Sequence, residues 1–219
     1  MKRRFVCVYL LALLMVLPVT TAGQEIGPEN GSLVIVGGGR LDSEILERFL
    51  DLAGGADAPI VVIPTAGGGE HYDQYYPGLR LFKAAGATNL TVLHTTDPAV
   101  ADTEAFVQPL LEARGVWFPG GRQWRLADAY LGTKVHDELW ALLGRGGVIG
   151  GSSAGATIQG SYLARGDTAT NTVMMGDHEV GLGFLRNVAI DQHLPVSYTH
   201  LRAHETLRYL GCPRLLGKK

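Results

Sequence analysis

Short, continuously apolar runs recur along the chain from Ser32 onward: Leu33 to Val36, Ile60 to Ile63, Leu90 to Leu93, Val116 to Phe118 and Val148 to Ile149. They are rich in β-branched residues and do not alternate with polar ones, which is the pattern of strands buried on both faces of a parallel sheet. Between them the apolar spacing lengthens to that of helices. Ile45, Leu46, Phe49, Leu50 and Leu52 share one helical face after Asp42 or Ser43 as N-cap, and Gly54 and Gly55 stop the helix. Leu79, Leu81, Phe82 and Ala85 do the same before Gly86. Phe106, Leu110 and Ala113 precede Gly115, with Pro109 leaving the start of that helix open, and Val135, Leu139, Leu142 and Leu143 line a helix that ends at Gly144. Strands alternating with helices predict an α/β fold, a doubly wound and mostly parallel sheet, because right-handed crossovers lay a helix on a face after each strand.

Ligands of such sheets sit beyond the carboxyl ends of the strands. Those ends are Gly37-Gly38-Gly39, Thr65 to Glu70, His94 to Asp97, Gly120 to Gln123 and Gly151 to Gly155. The last is the most informative. Gly151, Ser153 and Gly155 fit G-x-S-x-G between a short strand and a helix-forming run, Ala154 to Ile158, so Ser153 is the candidate nucleophile of a strained elbow. A glycine-rich loop that only packs, or holds an anion at a helix N-terminus, is the alternative. The first glycine cluster lacks the third glycine of a dinucleotide loop and no acidic residue closes the next strand, while a phosphate-binding Lys-Ser/Thr pair is missing from Gly132-Thr133-Lys134. Neither supports a nucleotide cofactor.

Val116 to Gln123 ends a strand in two glycines on the rim that carries Ser153. Backbone N–H groups of Gly120 and Gly121, joined by that of Ala154, could form an oxyanion hole. Gln123 follows, placed to contact substrate or to cap a helix near Leu126. A serine needs a base, and of seven histidines His193 is the best placed. It closes Asn187 to Leu194, NVAIDQHL, which reads as another buried strand delivering Asp191, Gln192 and His193 to a rim. His178 is the second candidate. His71 and His94 lie in rim loops, and His136 falls on the polar face of a helix.

Three ordered motifs, FPGGRQW at Phe118 to Trp124, GGSSAGA at Gly150 to Ala156 and IDQHL at Ile190 to Leu194, resemble those of the cyanophycinase-like serine peptidases of peptidase family S51, relatives of the aspartyl dipeptidases. The likeness covers roughly Ser32 to Leu194. It implies a flavodoxin-like sheet of the class I glutamine amidotransferase kind, here cut short at its C-terminal end. It also implies Ser153 as nucleophile, His193 as general base, Gly120, Gly121 and Ala154 as oxyanion hole, and Gln123, Asp191 and Gln192 as pocket residues. The expected reaction is hydrolysis of peptide or isopeptide bonds through an acyl-enzyme, as in release of β-aspartyl-arginine from cyanophycin or a related peptide. A non-catalytic module for a small ligand or peptide, and an esterase of the α/β-hydrolase type, are the competing functions.

The likeness ends after Leu194, where the family continues into an arginine-rich stretch and a later strand whose glutamate completes the triad. This chain reads SYTHLRAHET at Ser197 to Thr206, which resembles a translated sequencing adapter. Residues 195–219 are accordingly read as a non-native tail, the third catalytic residue is expected beyond the native part, and the chain is expected to be inactive as it stands. The helical spacing of His200 and His204 is then accidental, and no metal or cofactor is expected.

Composition changes this picture little. With 46% hydrophobic and 18% charged residues and a net charge of -2, the chain describes one ordinary globular domain, 23–194, without the basic excess that nucleic acid requires. Lys2, Arg3 and Arg4 before an apolar stretch to Leu17, then Pro18 and the small residues Thr20 to Ala22, read as a signal peptide over 1–22. Pro18 cuts the apolar run short of the roughly 20 residues a membrane anchor needs. A secreted or periplasmic enzyme is expected, with no membrane anchor after cleavage and with a homodimer allowed. Its two cysteines, Cys7 and Cys212, supply no disulfide framework to the domain.

Overall fold

The computed structural model describes residues 26–193. The expected signal peptide, the tail, and His200 and His204 lie outside the described residues. Five strands, β1 (Ser32–Val36), β2 (Ile60–Val62), β3 (Leu90–Val92), β4 (Gly115–Phe118) and β5 (Val148–Ser152), form one parallel sheet in the order β1-β5-β4-β2-β3. All five apolar runs of the sequence are therefore strands of a single sheet. Parallel pairing turns their carboxyl ends toward the same edge, which gathers the glycine-rich turns after β1, β4 and β5.

Helices cover both faces. α1 (Ser43–Ala53) and α2 (Leu79–Ala84) pack on one side, where Phe49, Phe82 and Trp117 meet edge to face at centroid distances of 5.1 to 6.2 Å. Such ring pairs add about 0.5–1.5 kcal/mol each beyond the area they bury. The other face carries α3 (Pro98–Ala101), α4 (Glu104–Glu112), α5 (Gln123–Tyr130) and α6 (Lys134–Gly144) around Val116, Phe118 and Ile149. Residues of β4 alternate between the two cores, Trp117 into the first and Val116 and Phe118 into the second, as the two-residue strand period demands. One short helix, α3, has no counterpart in the periodic runs: its four residues start at Pro98, with the Asp97 side chain accepting from the Ala99 N–H. α7 (Ala154–Thr157) follows the elbow within the helix-forming run Ala154 to Ile158.

After α7 the chain leaves the main sheet. β6 (Gly160–Tyr162) and β7 (Leu185–Ala189) pair in parallel as a separate two-stranded sheet. This corrects the expected buried strand at Asn187 to Leu194: the strand starts and ends earlier, is partly exposed, and leaves Ile190 to His193 as a loop. His136, read on the polar face of a helix, is engaged within the fold: its Nε2 lies 2.9 Å from the Leu182 carbonyl oxygen and its ring meets Phe184. Among the described residues no helix is long and apolar enough to cross a membrane.

Candidate active site

The turn from β5 into α7 is built by close backbone approach. A β-carbon on Gly151 would collide with the Gly155 carbonyl, and one on Gly155 would collide with the Phe118 carbonyl of β4. Only glycine lets strand, turn and helix come this near. Ser153 sits between them at φ 56, ψ -113. A non-glycine residue in such a region stores about 1–3 kcal/mol of strain. The surroundings enforce it: the Ser153 N–H donates to the Val36 carbonyl at 2.9 Å, and its carbonyl accepts from the N–H groups of Ala156 and Thr157 at 2.9 and 3.1 Å. The side chain is thereby turned out of the sheet and is half-buried.

Its hydroxyl meets His193, with 2.8 Å between Oγ and Nε2. With the imidazole proton on Nδ1, Nε2 accepts from the hydroxyl, the arrangement of a nucleophile with its base. The turn after β1 holds the histidine. Its N–H donates to the Gly37 carbonyl at 3.0 Å, and its ring occupies the space that a side chain at Gly38 would fill. Gly38 itself has φ +115. Gly37 and Gly38, two of the three glycines weighed as a phosphate loop, thus form the seat of the imidazole, a role that their place on the rim made available but that spacing alone did not reveal.

Of the glycines after β4, Gly120 faces Ser153. A methyl group at Gly120 would stand 3.3 Å from Ser153 Cβ and 3.7 Å from Oγ. The loop is fixed from behind by the Arg122 N–H, which donates to the Ala66 carbonyl at 2.8 Å. Ala154 opens α7, where the N–H groups of a first helical turn have no partner within the helix. Gly120 and the start of α7 thus lie beside the hydroxyl, while a β-carbon on Gly121 would meet the Ala66 carbonyl.

The three expected pocket residues divide. Gln123 is fully buried: its Nε2 donates to the carbonyls of Ala164 and Arg165, both at 2.8 Å, and its Oε1 accepts from Gln192 Nε2 at 3.3 Å. Gln192 is buried as well, and its N–H donates to Asp191 Oδ1 at 2.9 Å. Both side-chain amides are thus engaged in buried hydrogen bonds with the loop after β6 and with each other. Asp191 lines a hollow of ≈ 500 Å³ with His193 and the three glycines after β1. Its carboxylate takes both arms of Arg165, Nε at 2.6 Å and a terminal nitrogen at 3.2 Å. That hydrogen bonding raises the guanidinium pKa further. Arg165, itself at φ 57, had no signal in the sequence: an arginine before Gly166 in a loop is unremarkable by pattern. With Gln123 and Gln192 it ties the segment carrying His193 to the loop after β6.

The other histidines do not join Ser153. His178 bridges α5 to its own loop, with Nε2 2.7 Å from Asp128 and Nδ1 3.0 Å from Asp177. Burial pulls its pKa down, but the hydrogen bonds and charges of Asp177 and Asp128 outweigh this and raise it above the ordinary 6.5. Asp177 is held down to about 2, first by Thr168 and then by His178. His94 lies 2.8 Å from Thr65 Oγ1 against the Tyr72 ring, and burial lowers its pKa. His71 is exposed, 3.8 Å from Glu70. Among the described residues no carboxylate hydrogen-bonds His193, and no three His, Cys, Asp or Glu side chains cluster as metal ligands.

The model of peptidase family S51 matches residues 33–209, past the Leu194 boundary. The chain is similar to the cyanophycinase of Geminocystis herdmanii (strain PCC 6308), 30% identical over 174 residues that cover 74% of this chain and 62% of that protein. It is 28% identical over 188 residues to the cyanophycinase of Synechococcus elongatus, covering 80% of this chain and 56% of that one. The chain thus spans less than two thirds of the length of these curated relatives. A crystal structure of a peptidase from an acI-B1 Actinobacterium superposes with a TM-score of 0.60 at 24% identity, over 79% of this chain and 75% of its own, which shows a shared fold.

Proposed function

The chain belongs to peptidase family S51, and on that premise we propose that it hydrolyses peptide or isopeptide bonds through an acyl-enzyme on Ser153. The 2.8 Å contact between Ser153 Oγ and His193 Nε2 carries the proposal. His193 takes the hydroxyl proton as Oγ attacks the carbonyl carbon. The oxyanion that forms is held by backbone N–H groups of the Gly120-Gly121 loop and Ala154. The proton then passes to the leaving amine, the C–N bond breaks, and water releases the acyl group by the same steps in reverse. Each oxyanion donor is worth about 10²–10³ in rate. Export belongs to the proposal on the strength of residues 1–22 alone.

Cyanophycin, from which the relatives take their name, is the first substrate to assay, as release of β-aspartyl-arginine. The expected result, in a chain completed beyond Leu194, is turnover that falls by about 10⁴-fold or more in Ser153→Ala. Equal turnover by the variant would remove the serine from the mechanism.

A further inference from the structure

The loop between β6 and β7, 163–184, is fastened to α5 at two places. At the start of the helix the Gln123 amide holds the carbonyls of Ala164 and Arg165, and Arg122 Nη2 donates to those of Asp167 and Thr170. Further along it, Asp128 meets His178 on the returning limb of the loop. The two limbs are joined to each other. The Thr168 N–H and hydroxyl donate to the Asp177 carboxylate at 2.9 and 2.6 Å, while Arg165 reaches the Met174 carbonyl through its N–H at 2.9 Å and the Asn171 carbonyl through its guanidinium at 3.1 Å. The same guanidinium grips Asp191, two residues before His193. An unbroken row of contacts thus runs from Asp128 through His178 and Arg165 to the segment carrying the base.

His178 is the member of that row whose hydrogen bonds depend on its proton count. A carboxylate oxygen stands at each ring nitrogen, Asp128 at 2.7 Å and Asp177 at 3.0 Å, and an ionised carboxylate only accepts. The imidazolium donates to both. A neutral ring has one N–H, so its bare nitrogen would face the other carboxylate lone pair to lone pair, and that contact must open. The remaining neighbours do not replace the lost proton. From α5 the Trp124 ring lies 6.0 Å away with Arg125 over it, and from the loop itself Glu179 follows, acting on the Tyr162 phenol of β6.

We propose that His178 is a positioning residue for His193: the charged ring clasps the loop to α5 and keeps the Arg165–Asp191 tether taut, and loss of its proton slackens the tether and slows the attack by Ser153. The proposal rests on Ser153 and His193 being nucleophile and base. His193 must be neutral to take the hydroxyl proton, so the two histidines bound the working range from opposite sides, His193 from the acid and His178 from the alkaline.

The pH profile of fluorophosphonate labelling at Ser153 in the full chain, read beside an NMR titration of the His178 ring, tests this. The labelling rate should fall by about 10-fold as pH climbs through that titration above 6.5, less than the roughly 100-fold of a 1 Å misplacement. Asp128→Asn, which removes a charge from a half-exposed side chain, should move the ring titration and the fall in labelling together to lower pH. His178→Gln, uncharged throughout, should abolish the fall, whereas a merely structural role would lower the rate by one factor at every pH. A fall that persists in His178→Gln, a rate that stays level while the ring titrates, or a ring titration that moves without the labelling would overturn the clasp and leave the nucleophile in place. Absence of labelling at every pH, in a chain whose His178 ring still titrates, would overturn both.

Discussion

The proposed nucleophile and its proposed base are held by different physics. Ser153 directly follows β5, a strand paired on both sides in the main sheet, and is fixed by backbone contacts that admit no side chain at Gly151 or Gly155. His193 stands in a loop beyond a two-stranded satellite sheet, fixed by a glycine seat, an ion pair and a pair of buried amides. The first cannot move without unfolding the core. The second can be displaced while the core stays intact, so damage to the two regions should separate stability from activity.

A pair of glycine substitutions draws that contrast most sharply. Gly38→Ala pushes the His193 ring from its seat, and a misplacement on the order of 1 Å costs about 100-fold in turnover. The fold should lose only about 1 kcal/mol, the price of an alanine at positive φ. Gly155→Ala drives a methyl into the Phe118 carbonyl, where backbone on both sides cannot yield. It should cost about 3 kcal/mol in denaturant titration. Equal effects on both measurements in both variants would erase the distinction.

A smaller effect tests the tether. Arg165→Ala removes the guanidinium from the partly buried Asp191 carboxylate, and the loosened His193 segment should lower kcat by about 5- to 30-fold with KM little changed, the equivalent of about 1–2 kcal/mol. Arg165→Lys should recover only part, since an ammonium cannot grip both carboxylate oxygens. A change confined to KM would make Arg165 a substrate contact.

The smallest effect lies away from the site, in the His178 bridge. Its folded pKa is raised, so its stabilisation is complete below 6.5 and is lost as pH climbs through the raised value. Asp177 is depressed to about 2, so its contribution is present above 3.8 and lost as pH falls toward that value. The Thr168 N–H, which donates to Asp177, should show its highest hydrogen-exchange protection factor between those limits. A flat profile would show that the bridge does not hold the loop.

The same contrast explains what was legible in the sequence. Five unbroken apolar runs announce buried parallel strands, and the elbow is local: its glycines, serine and flanking runs are neighbours in the chain. The holding of His193 is not local. Gly37 to Gly39 lie far upstream and look like any rim turn, and Arg165 meets Asp191 across 26 positions. Gln123 reads as a cleft residue because it follows the rim glycines, yet the first turn of α5 points its amide inward at the carbonyls of Ala164 and Arg165. The half-exposed β7, with its burial broken along Leu185–Ala189, gives no clean period, so the apolar pattern points to a strand later in the chain than the one that forms.

Fluorophosphonate labelling followed by peptide mapping tests the central pairing most directly. The hydroxyl 2.8 Å from His193 Nε2 predicts one adduct, on Ser153, absent in Ser153→Ala and slowed by about 100-fold or more in His193→Ala. An adduct that persists in Ser153→Ala, or one that forms as fast without the imidazole, would contradict it.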